Sequence, residues 1–146
     1  MKKLILVGFL GASLAAVVMP PAHVSAQGAK ANTTLATVNI SRKVTAGGTA
    51  LTPGSYQLRL TGEHPQPAAG ESPDSEEFVE FVKGGKVVAR EVATVVSRDD
   101  IKSVGKGEST PASGSARVEL LKGNDYIRIW ANKGGTSYLI HLPTGA

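Results

Sequence analysis

From residue 34 onward, apolar and polar residues alternate in short runs, and the period is two almost everywhere. Ala36, Val38 and Ile40 alternate with Thr37, Asn39 and Ser41. Tyr56, Leu58 and Leu60 point one way, and Gln57 and Arg59 the other. Successive side chains of an extended chain face opposite sides, so each run predicts a half-buried strand. Phe78 to Lys83 and the valine-rich stretch Lys86 to Arg98 continue the pattern, with Gly84-Gly85 as a two-residue hairpin signal between them. Ile101 to Val104 reads as one further short strand. The last third is a meander: Ala116 to Leu120, Tyr126 to Ala131 and Tyr138 to Leu142, broken at Gly123-Asn124-Asp125 and at Asn132 to Gly135.

Two stretches break the alternation. Gly62 to Glu76 and Gly105 to Gly114 are rich in Gly, Pro, Ser and charge, and are expected to be loops. No helical periodicity follows residue 34. About seven or eight short strands with Gly/Pro turns predict an all-β fold, a single β-sandwich, with a small β-barrel as the alternative.

The beginning of the chain is of another kind. Lys2 and Lys3 precede an uncharged apolar run from Leu4 to Met19, and Pro20-Pro21 ends it. Val24-Ser25-Ala26 puts small residues where a signal peptidase reads. This predicts a signal peptide over 1–26, cut between Ala26 and Gln27. The run is shorter than the about 20 apolar residues of a spanning helix, and Gly8, Gly11 and Ser13 interrupt it. The predicted organisation is a signal peptide over 1–26, a frayed N-terminus over 27–33 and a single β-domain over 34–146, exported to the periplasm or beyond and not spanning a membrane after cleavage.

Composition changes this picture in two places. The whole chain has a net charge of +4, and loss of Lys2 and Lys3 would halve it. So weak and scattered an excess gives no argument for nucleic-acid binding. There is no cysteine, which rules out a lipid-modified anchor, a thiolate nucleophile, a Cys-ligated metal and any disulfide. The order and spacing of Leu142-Pro-Thr-Gly145 lack the extra residue and the tail of a sortase signal.

The stretch Leu51-Thr-Pro-Gly-Ser-Tyr-Gln-Leu-Arg-Leu60 resembles the L-x-P-G-x-Y signature of prealbumin-like and carboxypeptidase-regulatory-like β-sandwich modules. The hairpin Phe81 to Ala89 is similar to one in short secreted bacterial proteins of uncharacterised function. The resemblance implies a tight turn feeding a strand whose first inward residue is Tyr56. It implies no catalytic residue.

Candidate chemistry is sparse. His64 and His141 have no partner close in sequence. Glu71, Asp74, Glu76 and Glu77 lack the ligand order of a calcium loop and read as a solvated acidic segment. Asp99-Asp100 read as a turn. Ser103 and Lys106 match S-x-x-K formally, but without a helix to join them. No catalytic, metal or cofactor-binding residue is therefore expected. One candidate ligand platform remains: Tyr126, Arg128 and Trp130, on the strand face opposite Ile127 and Ile129. The reading that follows is a non-enzymatic β-module that binds or scaffolds at the cell envelope, its partner an envelope protein or a glycan. The alternatives are a small barrel carrying an apolar ligand and a loop-based hydrolase or metal enzyme built around His64 or His141.

Overall fold

A computed structural model describes residues 32–145. The predicted signal peptide over 1–26 and most of the predicted frayed N-terminus lie outside the described residues. Nine strands and one helical turn make up an all-β fold: β1 (Thr33–Ile40), β2 (Val44–Ala46), β3 (Thr49–Leu51), β4 (Gly54–Leu60), β5 (Glu76–Lys83), β6 (Lys86–Val96), α1 (Ile101–Val104), β7 (Ser115–Leu120), β8 (Tyr126–Lys133) and β9 (Thr136–Pro143). Ile101–Val104, read from the sequence as a short strand, is instead a single helical turn.

Seven strands form one antiparallel sheet in the order β1-β4-β5-β6-β9-β8-β7. Each strand twists relative to its neighbour, so the sheet curls. Its edge strands β1 and β7 come side by side, although no ladder joins them. The result is a nearly closed, barrel-like sheet around one core.

Apolar residues at alternate positions of the strands fill that core. Val38, Ile40, Leu58, Val79, Phe81, Ile129, Ile140 and Leu142 are all buried. A register shift between Thr34 and Ala36 puts both Leu35 and Ala36 in the interior. A bulge of this kind bends an edge strand and re-aims its side chains. Tyr56 is the first buried residue of β4; its hydroxyl donates to the Thr52 carbonyl at 2.5 Å, tying the β3–β4 turn to the strand.

The curled sheet has unlike ends. β6 pairs β9 only over Thr94–Val96. Beyond that point the first half of β6 leaves β9, and the β2–β3 hairpin packs into the gap, touching both strands. Val44, Ala46 and Leu51 are buried there, and the Gly47 N–H donates to Glu91 at 2.7 Å. This end is plugged. At the opposite end lie the start of β1, the end of β4, the 61–75 loop and the β8–β9 turn, with no such hairpin across them.

Candidate functional site

The parity argument for β8 holds in the fold. Ile127, Ile129 and Ala131 face the inner core, and Tyr126, Arg128 and Trp130 face outward. The three outward residues have different environments. Tyr126 is exposed and Arg128 half-buried, but Trp130 is only 1% exposed. A second, smaller hydrophobic cluster covers it on the outside of the sheet: Leu139 from the neighbouring β9, Val96 from β6 beyond it, and Ile101 from α1. The indole N–H donates to Ser137 Oγ at 3.0 Å. Neither face of this indole is open to a ligand.

α1 can sit so close because residue 105 has no side chain. A Cβ at Gly105 would lie 2.8 Å from the indole Cη2 and 3.1 Å from the Ile101 carbonyl oxygen. The helical turn is fixed locally as well. Ser97 Oγ donates to Asp100 Oδ2 at 2.7 Å, and Ser103 Oγ donates to the Asp100 carbonyl at 2.7 Å. Asp100 thus serves the turn that its sequence context suggested. The Ser103 hydroxyl is spent on that backbone contact, and Lys106 lies past the end of α1, at a positive φ of 49°.

Beside Trp130 the outer face carries a charge network. Arg117 reaches both Glu108 and Glu119, and also donates to the Ser109 carbonyl at 3.0 Å. Arg128 donates to Glu119. The two guanidiniums stand 4.9 and 5.8 Å from the indole centroid, within cation–π range. Burial alone would raise the Glu119 pKa, but hydrogen bonds from Arg128 and Arg117 outweigh it and hold the carboxyl below its usual range. The network fastens the 105–114 loop to β7 and β8. Arg128 is therefore committed to Glu119, and its charge also bears on His141, its cross-strand partner. Loss of hydration first, and the Arg128 charge second, lower the His141 pKa.

Two recesses open at the unplugged end, one on each side of the β8–β9 turn. The smaller, about 290 Å³, lies over the inner core. Leu60 and Tyr138 line it, with Thr33, His64, Glu77 and Lys133 at its rim. Lys133 Nζ donates to the Thr34 carbonyl at 2.6 Å, His64 Nδ1 lies 2.6 Å from the Glu76 carbonyl, and Glu77 accepts the Gly62 N–H at 2.9 Å. Burial, then the nearby Glu77 charge, push the Tyr138 phenol above its usual range. The larger recess, about 520 Å³, lies outside the sheet between α1, the 110–113 segment and the same turn, and includes Arg98 and Lys102.

The remaining sequence candidates are dispersed. His64 is at the smaller recess, and His141 is exposed on the outer face of β9. Of the acidic candidates, Glu71 accepts the Ala68 N–H at 3.3 Å and Glu77 the Gly62 N–H. Among the described residues no three His, Asp or Glu side chains gather where they could hold a metal ion. The recess at Arg98 and Lys102 has no sequence signal, because its walls come from three separate segments. No protein-family model, no curated protein and no solved structure matches the chain.

Proposed function

We propose that the chain is an exported, non-enzymatic β-module that binds or scaffolds at the cell envelope, and that it works through the unplugged end of its sheet. One observation carries the reading: both recesses flank the β8–β9 turn at that end, while the β2–β3 hairpin fills the other. Loops gathered at one end of a rigid β-scaffold are a common place for recognition. The three-part pattern over residues 1–26 supports export to the periplasm or the medium. An envelope protein or a glycan is the partner class. The likeness of Leu51–Leu60 to prealbumin-like modules fits a structural rather than catalytic role. A carrier of apolar cargo would need room that Leu58, Phe81, Ile129 and Ile140, all at 0% exposure, fill.

Two measurements test this. Expressed in a bacterial host with a C-terminal tag, the chain should be recovered outside the cytoplasm with Gln27 as its first residue; full-length protein retained in the cytoplasm overturns the export reading. A photo-crosslinking residue at Thr136, beside the β8–β9 turn, should then give envelope adducts, and one at Val87, at the plugged end, should not. Adducts from Val87 alone, or from neither position, overturn the assignment of the working end.

A further inference from the structure

We infer that the larger recess is a binding site for an oxyanion, a carboxylate, phosphate or sulfate group borne on a small ligand. The inference rests on the proposed working end for its place in the molecule, and on four local observations for its chemistry.

The first is unspent charge. Arg59 pairs with Glu80, Arg90 with Glu63, Arg117 with Glu108 and Glu119, and Arg128 with Glu119. Of the six arginines, Arg42 and Arg98 have no such partner, and of the two Arg98 lies at the recess; neither Arg98 nor Lys102 has a hydrogen-bond acceptor or ion-pair partner among the described residues. Both cations line the recess, and no carboxylate lines it. The nearest acids in sequence are Asp99 and Asp100. Neither lines the recess, and the Asp100 carboxylate is held by Ser97.

The second is a positioned guanidinium. A Cβ on Gly135 would lie 2.4 Å from Arg98 Nη2, 2.7 Å from Nε and 2.9 Å from Cζ. The Arg98 head therefore lies against the backbone of the β8–β9 turn, in space that any other residue would occupy. Gly135 also has φ of +91°, which side-chain-bearing residues rarely adopt. A guanidinium laid along a backbone loses less freedom when it meets a ligand, and its fork of N–H donors matches two oxygens of one anion.

The third is the supply of neutral donors. Thr110 and Ser113 line the same walls. Ser113 Oγ accepts the Gly134 N–H at 2.9 Å, which leaves its own O–H to donate. The fourth is size and lining. A volume of about 520 Å³ lies within the range of small-molecule sites, and Ile101 and Pro111 give it an apolar wall for the body that carries the anion. The floor is rigid, since Asn132 Nδ2 donates to the Pro111 carbonyl at 2.7 Å and its Oδ1 accepts the Gly135 N–H at 3.1 Å.

The test uses the chain from Gln27 to Ala146, titrated separately with inorganic phosphate, sulfate and glucuronate while amide and Arg side-chain NMR shifts are followed. Saturable shifts confined to residues 98–102, 110–113 and 132–135 support the site, and the tightest of the three probes identifies its oxyanion. Arg98→Gln should weaken that probe tenfold or more, and Lys102→Gln about threefold to tenfold. Lys122→Gln, in the β7–β8 turn at the other end, should change nothing. Arg98 has no structural partner, so its loss leaves the fold intact, and the unchanged Trp130 emission checks this. Non-saturating shifts spread over Lys43, Lys86 and Lys122 would mean diffuse charge attraction and overturn the site, as would full affinity in Arg98→Gln. Either result leaves the crosslinking test of the working end untouched. Loss of the Thr136 adducts with anion binding intact would overturn the envelope reading and keep this one.

Discussion

The hydrophobic cluster inside the curled sheet and the one outside it share strands β8 and β9 but are built by different means. The inner cluster is large and draws on all seven strands of the sheet, and its members follow one another at period two. The outer one is four residues, Val96, Ile101, Trp130 and Leu139, and exists because a single helical turn folds back over one indole. Inside, burial comes from the sheet closing on itself. Outside, it comes from a lid with one apolar side chain, a glycine that permits close approach, and a network of two arginines and two glutamates at its margin. The first arrangement tolerates no exchange with solvent without unfolding the sheet. The second, held by one helical turn, is expected to open while the sheet stays intact.

That contrast can be broken in order of effect. Phe81→Ala removes a fully buried ring from the inner cluster. It should cost about 3–5 kcal/mol and shift the single cooperative transition in denaturant. A loss near zero would mean that the interior is not packed as described. Gly105→Ala comes next. The added methyl meets the indole, and overpacking of this kind costs roughly 1–3 kcal/mol. The chain has one tryptophan, so its emission reports on the lid alone. Emission should move to the red at denaturant concentrations that leave the strand signal in circular dichroism unchanged. If the two signals move together, the outer cluster is part of one cooperative unit and the comparison fails.

Acid should act on the outer cluster at smaller scale. The Glu119 carboxyl has its pKa lowered in the fold from an ordinary 4.5. A depressed carboxylate contributes stability that is present above the unfolded value and disappears as pH falls through the folded one. The contribution is about 1 kcal/mol for a charged hydrogen-bonded group that keeps some contact with water. Below pH 4.5 the Trp130 emission should shift, and in Glu119→Gln that pH dependence should vanish. The smallest effect concerns His141. Its NMR titration midpoint should lie below the ordinary 6.5, and Arg128→Gln should raise it towards that value. An unmoved midpoint would separate His141 from the network.

These differences also explain what the sequence could show. Strand identity was legible because residues such as Val38, Leu58 and Ile129 alternate with polar neighbours, and turn positions were legible from Gly pairs. The outward face of Tyr126, Arg128 and Trp130 was legible by the same parity. Trp130's cover was not. Ile101 and Val104 are the two apolar residues between Arg98 and Gly107, and a four-residue helical turn is too short to show a 3.6-residue period. The strands β2 and β3 escaped notice because three residues give too little alternation to separate a strand from a turn. The larger recess was illegible for a different reason: Arg98, Ser113 and Gly135 meet only through the closure of the sheet, and nothing local requires them to.

The narrow pairing of β6 with β9 has a kinetic consequence. Three residue pairs, Thr94–Leu139, Val95–Tyr138 and Val96–Ser137, form the one strand ladder that joins the four-stranded half β1-β4-β5-β6 to β7, β8 and β9 among the described residues. Every other ladder of the large sheet lies within one half. The first half contains only contacts between residues 33 and 96, so it can assemble before the rest of the chain is available, and docking of the second half becomes the late step because long-range closure is the slow part of β folding. In reverse, the same joint is where the sheet should part first, and its amides should exchange with solvent sooner than those of the β5–β6 ladder beside them.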